Sequence, residues 1–201
     1  MKYIIMAAGE GKRWKNYLGV PKHLVKINGE TLLGRTTRLL KERGIDYVIT
    51  GNDERYKEYG RLIKQSFNDC EIDRFEPVKE PVCYLYGDVY YTESAINKII
   101  SRQTNDIVFF GSLEEIFAVK VANLELFYKH KAIVKRQYLL GQIPRCIGWE
   151  VYRSLQRIPI HMHMIKGRYQ LITDGTDDID YPEDYEKFRR KYEIQCLHTK
   201  L

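Results

Sequence analysis

Short runs of branched apolar residues alternate along this chain with longer segments of helical spacing. That alternation predicts an α/β fold of three layers, α/β/α, around a mostly parallel mixed central sheet. Two runs end in chain-reversing small residues, Ala7-Ala8-Gly9-Glu10-Gly11 and Gly87-Asp88. Open sheets of this class bind ligands beyond the carboxyl ends of their strands, which puts both turns at one edge. With 201 residues, 44 % hydrophobic and 30 % charged, the composition is globular, and one domain over residues 1–201 is expected.

Tyr3–Met6 reads as a buried strand, followed by a basic, polar loop that runs to Pro21. Thr31 suits an N-cap, and Leu32, Leu33, Leu39 and Leu40 carry a helix toward Gly44, a natural residue past its end. Tyr47-Val48-Ile49 is a second strand. Residues 53–66 have the spacing of an amphipathic helix, built on Tyr56, Tyr59, Leu62 and Ile63. Val82–Tyr86 is a strand stopped by Gly87-Asp88, and Thr92 caps a helix carrying Ala95, Ile96, Ile99 and Ile100. Ile107–Phe110 and Ile116–Val121 are further strands. Helices are expected over 123–131 and 145–157, the second marked by Pro144. A late hairpin around Lys166-Gly167 would pair 160–165 with 169–173 and give a mixed sheet edge. The last helix begins near Pro182 and runs to about Tyr192.

No apolar run approaches a membrane span, and the N-terminal apolar stretch is too short for a signal peptide. Cys70, Cys83, Cys146 and Cys196 form no CxxC pair, so free thiols in a reducing cytoplasm are expected. The net charge is +6, and its distribution is uneven. Residues 1–41 carry nine bases against two acids, as do residues 123–170, whereas residues 174–186 carry seven acids and no base. Such a layout suits polyanionic phosphate held through a divalent cation, or equally a set of solvated faces.

The loop after the first strand carries the sharpest chemistry. Ala7, Ala8, Gly9 and Gly11 let backbone N–H groups approach a phosphate chain, with Lys12 beside them. Arg13 offers a planar fork for phosphate oxygens, and Lys22 a point charge set by Pro21. Neither GxGxxG nor the P-loop fits, because Trp14 and Arg13 stand where those patterns need glycine and Ser/Thr.

Ala7-Ala8-Gly9-x-Gly11-x-Arg13, then Pro21-Lys22 and Gly29-x-Thr31-Leu32-Leu33, resembles the nucleotidyltransferase (NTP-transferase) superfamily, which includes sugar-phosphate nucleotidylyltransferases and molybdenum-cofactor guanylyltransferases. The resemblance implies a Rossmann-like fold of the nucleotide-diphospho-sugar transferase type. It also implies a loop wrapped around NTP phosphates, with Arg13 and Lys22 stabilising charge as pyrophosphate leaves. Asp88 stands in the context of the family's metal-binding aspartate, for Mg²⁺. Residues 176–185 are similar to the family's acidic closing segment, with Asp180 as second metal residue and Asp178 as competitor. Asp180 followed by Pro182 and Glu183 also reads as a capping box, in which its side chain would turn onto the Glu183 N–H. Both readings stand at this stage.

The implied activity is transfer of an NMP group from an NTP to a small phosphorylated acceptor, a sugar phosphate above all. The carboxylates of Asp88 and Asp180 should then lie within roughly 3–6 Å of one another, balanced by Lys22 or another base. Lys22 and Arg13 are expected to be exposed in the empty site. Lys120 is placed either on the acceptor phosphate or as a strand-edge surface lysine. His161 and His163 lack a third ligand and read as structural, and aromatic packing accounts for most of the sixteen tyrosines. Residues 68–82 show no base-reading pattern, so the nucleobase is open.

Two other classes compete. A glycosyltransferase would carry Asp-x-Asp at the metal strand, where this chain has Tyr86-Gly87-Asp88. A nucleic-acid-binding protein would use the bases of 123–170, but these alternate with apolar residues at helical spacing, as on packed helices.

Overall fold

Tyr3 to Met6 are all buried, which an edge strand with one wet face would not allow, and the run becomes the strand β1 (Lys2–Met6) inside a seven-stranded sheet. The computed structural model describes residues 1–198, with side chains through Tyr192; the side chain of Cys196 lies outside the described residues. The other strands are β2 (Lys26–Ile27), β3 (Glu30–Thr31), β4 (Tyr47–Thr50), β5 (Leu62–Ile63), β6 (Val82–Tyr86), β7 (Val89–Tyr90), β8 (Ile107–Gly111), β9 (Ile116–Val121), β10 (Tyr169–Leu171) and β11 (Asp177–Asp178). The helices are α1 (Leu32–Lys41), α2 (Glu93–Ser101), α3 (Leu124–Leu139), α4 (Gly148–Gln156) and α5 (Pro182–His198).

The large sheet has the order β10-β8-β9-β6-β1-β4-β5. Its strands run parallel except β9, which is antiparallel to both β6 and β8. Alternation along β1 splits the core. Tyr3 and Ile5 face Leu33, Leu39 and Leu40 of α1 and Ile96 and Ile99 of α2. Ile4 and Met6 face the other way, toward Phe127 of α3 and Val151, Tyr152 and Leu155 of α4. The three-layer mixed sheet expected from the sequence is therefore present. Thr31 and Thr92 cap α1 and α2 as expected, accepting from the N–H of Gly34 at 2.9 Å and of Ala95 at 3.0 Å.

Three expectations fail. Residues 53–66 are not one helix: a 3-10 turn over Glu54–Glu58 gives way to β5, which extends the sheet beside β4. Gly60 permits that turn, because a Cβ there would sit 2.8 Å from the Tyr47 ring. The late hairpin is absent, and the hairpin is instead β8–β9. Residues 160–165 form no strand, because α4 supplies side chains to that backbone: Arg153 Nε donates to the Met162 carbonyl at 3.1 Å. Beyond that segment, Tyr152 Oη accepts from the Lys166 N–H at 2.7 Å. β10 then joins β8 in parallel, so the reversed strand lies inside the sheet and not at its edge. Helices α3 and α4 occupy 124–139 and 148–156, the first longer and the second starting later than expected.

Candidate active site

The loops that follow β1 and β6 meet at the carboxyl edge of the sheet, because the two strands pair in parallel with Met6 opposite Tyr86. Gly87 lets them close together. Its N–H donates to the Met6 carbonyl at 2.9 Å, and a Cβ there would lie 2.7 Å from that same oxygen. Asp88 follows, and β7 pairs with β11 so that Asp178 stands opposite Val89. This small ribbon carries Asp180 back to the edge.

Lys22 sits at the centre. The Pro21 backbone leads into a 3-10 turn over Lys22–Leu24 that buries Lys22 and His23 together. Lys22 is only 7 % exposed, which corrects the expectation of an exposed loop lysine. Its ammonium pairs with Asp88 Oδ2 and donates to Asp180 Oδ1 at 2.7 Å. Two such contacts on one nitrogen keep the carboxylates within about 5–6 Å of each other. Arg13 closes on the other oxygen of Asp180. Burial alone would depress the Lys22 ammonium, but the two carboxylates outweigh it and raise its pKa. Burial would likewise raise Asp88, yet the Lys22 and His23 charges hold it at about 2.

Asp178 has no such partner. Burial, followed by repulsion from Asp88, Asp180 and Glu115, pushes it to about 8. Partial desolvation and the charges of Asp180 and Glu71 raise Glu115 to about 7. The edge is therefore short of positive charge. Among the described residues no group of three or more His, Cys, Asp or Glu side chains is arranged to hold a metal ion. What the edge offers instead is a pair of hard carboxylates beside the glycine-rich loop, a set that would suit Mg²⁺, which takes one or two carboxylates and completes its shell with phosphate and water.

The capping box expected at Asp180 does not form. Asp184 caps that helix, its carboxylate accepting from the N–H groups of Asp180 at 3.2 Å and Tyr181 at 2.8 Å. The Asp180 carboxylate is drawn instead to two cations, whose charge-assisted bonds are stronger than one to a neutral amide. Lys120 also departs from both of its expected positions. It is 2 % exposed on β9, and its ammonium donates to the carbonyls of Ile100 and Arg102 at 2.9 Å, where it closes the end of α2. Burial lowers its pKa.

Besides a cavity of about 410 Å³ between Arg13, Asp178 and α5, three more with shared lining follow the edge. One of about 490 Å³ lies beside Ala7, Ala8 and Gly9 and reaches Asn52 and Gln65. One of about 210 Å³ is lined by the loop from Gly9 to Arg13, including Gly11 and Lys12. Lys12 itself points outward and pairs with Glu10 at 3.0 Å. The third, about 400 Å³, is walled by Tyr86, Glu115, Arg145 and Trp149. The second and third share Arg13, Lys22, Arg74 and Asp180.

Sequence reasoning passed over the segment 68–75, which forms one wall. Glu71 fastens it, accepting from Tyr86 Oη and from the Gly148 N–H, both at 2.8 Å. Cys70 packs its sulfur 2.9 Å from that of Cys146. Asn68 donates to the Ala8 carbonyl at 2.7 Å and accepts from Arg74 Nε at 2.9 Å.

A glycine-rich loop after the first strand, a buried lysine between two strand-edge aspartates and a mostly parallel mixed sheet flanked on both faces are the features that comparison with known proteins places beside nucleotidyltransferase folds. Residues 3–72 match the model of the MobA-like NTP transferase domain family, so the resemblance read from the loop holds. Over 124 residues, 62 % of the chain, it is 28 % identical to the "Probable UDP-N-acetylglucosamine pyrophosphorylase" of Acanthamoeba polyphaga mimivirus. Over 70 residues, 34 % of the chain, it is 40 % identical to the bifunctional IPC transferase and DIPP synthase of Thermococcus kodakarensis. These matches span 46 % and 16 % of the two relatives' lengths. Among solved structures, the inositol-1-phosphate CTP transferase of T. maritima superposes with a TM-score of 0.59 at 13 % identity, covering 96 % of both chains. The CTP:phosphocholine cytidylyltransferase of Streptococcus pneumoniae gives 0.56 at 18 % identity, covering 94 % of this chain and 97 % of that one. At such identities the superpositions show a shared fold.

Proposed function

We propose that this chain transfers a nucleoside monophosphate from an NTP to a small phosphorylated acceptor, a sugar phosphate above all, with release of pyrophosphate, in the cytoplasm. The observation that carries this reading is the buried Lys22 ammonium between Asp88 and Asp180 at the mouth of the 7–13 loop. Among the described residues no helix is long and apolar enough to cross a membrane.

In this reading the N–H groups around Gly9 and Gly11 receive the outer NTP phosphates, and the acceptor enters the 400 Å³ cavity. An acceptor phosphate oxygen forms a bond to the α-phosphorus while the bond from that phosphorus to the bridging oxygen breaks, and pyrophosphate leaves with the electron pair. Arg13 and Lys22 stabilise the charge that builds on the phosphoryl oxygens, a preorganised effect commonly worth 10²–10³ in rate per donor. Mg²⁺ held by Asp88 and Asp180 would neutralise phosphate charge. Asp178 is then the reserve carboxylate beside that pair.

A panel of NTPs with sugar phosphates, phosphocholine and inositol phosphate, followed by pyrophosphate release with and without Mg²⁺, tests the reading. Release is expected only when NTP, acceptor and Mg²⁺ are all present. Absence of NTP binding with Mg²⁺ in calorimetry overturns it.

A further inference from the structure

Arg74 brings a further positive charge to this edge, and that charge helps to hold Asp88 low. It is half-buried in the wall contributed by segment 68–75, and among the described residues no carboxylate pairs with it, although acids crowd the same edge. Among the described residues only its Nε is hydrogen-bonded, to Asn68, and the two terminal nitrogens of the fork have no hydrogen-bond partner. The fork lies directly over the phosphate loop: a Cβ on Gly9 would meet Arg74 Nη1 at 3.2 Å. Asn68 ties it to that loop through the Ala8 carbonyl. Arg74 also lines both the 210 Å³ loop cavity and the 400 Å³ cavity beside Arg145 and Trp149.

Its position answers a physical problem of the reaction proposed above. Two phosphate groups, each an anion, must approach until an oxygen of one reaches the phosphorus of the other. Lys22 and Arg13 are already neutralised in part by Asp88 and Asp180. We propose that Arg74 is a catalytic residue whose free fork binds the acceptor phosphate and the NTP α-phosphate together, one terminal nitrogen to each, and so offsets their repulsion. A guanidinium suits this because its planar donors can face two anionic oxygens at once, which a point-charge ammonium does less well. The inference rests on the transferase reading of the same site. Asn68 is the positioning residue that aims the fork.

The test compares wild type with Arg74→Ala, Arg74→Lys and Asn68→Ala, each first matched to wild type by melting temperature. Arg74→Ala should lower kcat by about 10²-fold or more and raise the acceptor KM about tenfold, and it should also weaken NTP binding without acceptor, by a smaller factor than it raises that KM. Arg74→Lys should recover most of the acceptor KM and little of kcat, and added guanidinium ion should partly rescue Arg74→Ala. Asn68→Ala should shift the same two constants in the same direction, and the double variant should be no worse than Arg74→Ala. If Arg74→Ala fails to fold, Arg74→Gln, which keeps a planar side chain without charge, takes its place. Calorimetric binding of inorganic phosphate, a probe of the acceptor phosphate, is read in parallel and should weaken about tenfold in Arg74→Ala. Should wild type prove inactive, the transferase reading fails, but that weakening would still establish Arg74 as a phosphate ligand. Wild-type kinetics together with wild-type phosphate binding in Arg74→Ala overturns the inference.

Discussion

Lys22 holds together an edge that would otherwise repel itself, so its removal should affect folding as well as chemistry. Breaking a buried ion pair by deleting one partner costs on the order of 3 kcal/mol, because the remaining charge keeps its burial and loses its compensation. For a chain of this size, that is a fall in Tm of roughly 6–12 °C for Lys22→Ala. Mg²⁺ should restore more of that loss in the variant than it adds to wild type, since it supplies the missing positive charge. Equal melting of variant and wild type would show that Asp88 and Asp180 do not depend on the ammonium. Its neighbour His23 adds a pH dependence. Its Nδ1 meets Tyr56 Oη at 2.8 Å, and burial pushes its pKa from 6.5 down to about 4. The unfolded chain takes up that proton near 6.5 and the folded chain only near 4, so stability is full above about pH 6.5 and declines as pH falls toward 4. His23→Gln, which can keep the bond to Tyr56, should flatten the decline of Tm over that window, and an unchanged slope would locate the acid sensitivity in other groups.

At the level of elements, the loop after β1 is anchored at Trp14, which packs against α5 and the β7–β11 ribbon. Trp14 is 1 % exposed within a separate small core with Val25, Leu32, Ile179, Tyr185 and Phe188. Its indole donates to the Val20 carbonyl at 2.8 Å, and its ring meets Tyr17 and Tyr185 edge to face. Truncation to Ala should cost about 3–5 kcal/mol, as large aromatic deletions do, and should loosen Arg13 next to it. Trp14→Phe should keep most of the packing and lose about 1 kcal/mol with the hydrogen bond. Denaturant unfolding measures both; a Trp14→Ala variant within 1 kcal/mol of wild type would mean that α5 does not depend on this contact. The buried strands and the helices begun by Thr31 and Thr92 were legible because local pattern and cap chemistry agree there. Residues 53–66 were not, because Tyr56, Tyr59, Leu62 and Ile63 have helical spacing by coincidence: the tyrosines pack from a turn and the last pair from a strand. Residues 160–165 misled for a related reason, since their alternation of Ile, His and Met is an irregular segment held by side chains of α4.

Across the whole molecule, the site joins parts distant in sequence, and its legibility depended on whether a part lay next to a recognisable strand end. Asp88 follows such an end, whereas Lys22 and Asp180 were marked by Pro21-Lys22 and by the acidic closing segment of the resembled family. Arg74 and Asn68 have neither signal, and their segment is tied to the site by long-range contacts, among them Glu71 with Tyr86 and Gly148 and Asn68 with the Ala8 carbonyl. The uneven charge of the sequence also becomes intelligible in three dimensions. The basic N-terminal stretch meets the acidic closing segment through Arg13 and Lys22 on Asp180. Part of the basic stretch 123–170 is consumed internally, Lys135 on Asp73 and Arg168 on Asp106, both at 2.7 Å. On the proposed reading, the site offers both a receptor for phosphate and a surplus of carboxylate. An NTP alone must approach Asp88, Asp178 and Asp180 with like charge, and Mg²⁺ alone finds two carboxylates already held on cations. Together each removes the other's obstacle, so their effects on stability should exceed the sum of the separate ones. A ligand at about 100 times its Kd adds about 2.7 kcal/mol. For a chain of this length that is a rise in Tm of roughly 5–11 °C. Thermal melts with NTP, Mg²⁺ and both should show that rise only for the pair, with Asp88→Asn and Asp180→Asn abolishing the excess. Shifts that simply add would mean that the carboxylates and the phosphate loop act on separate ligands.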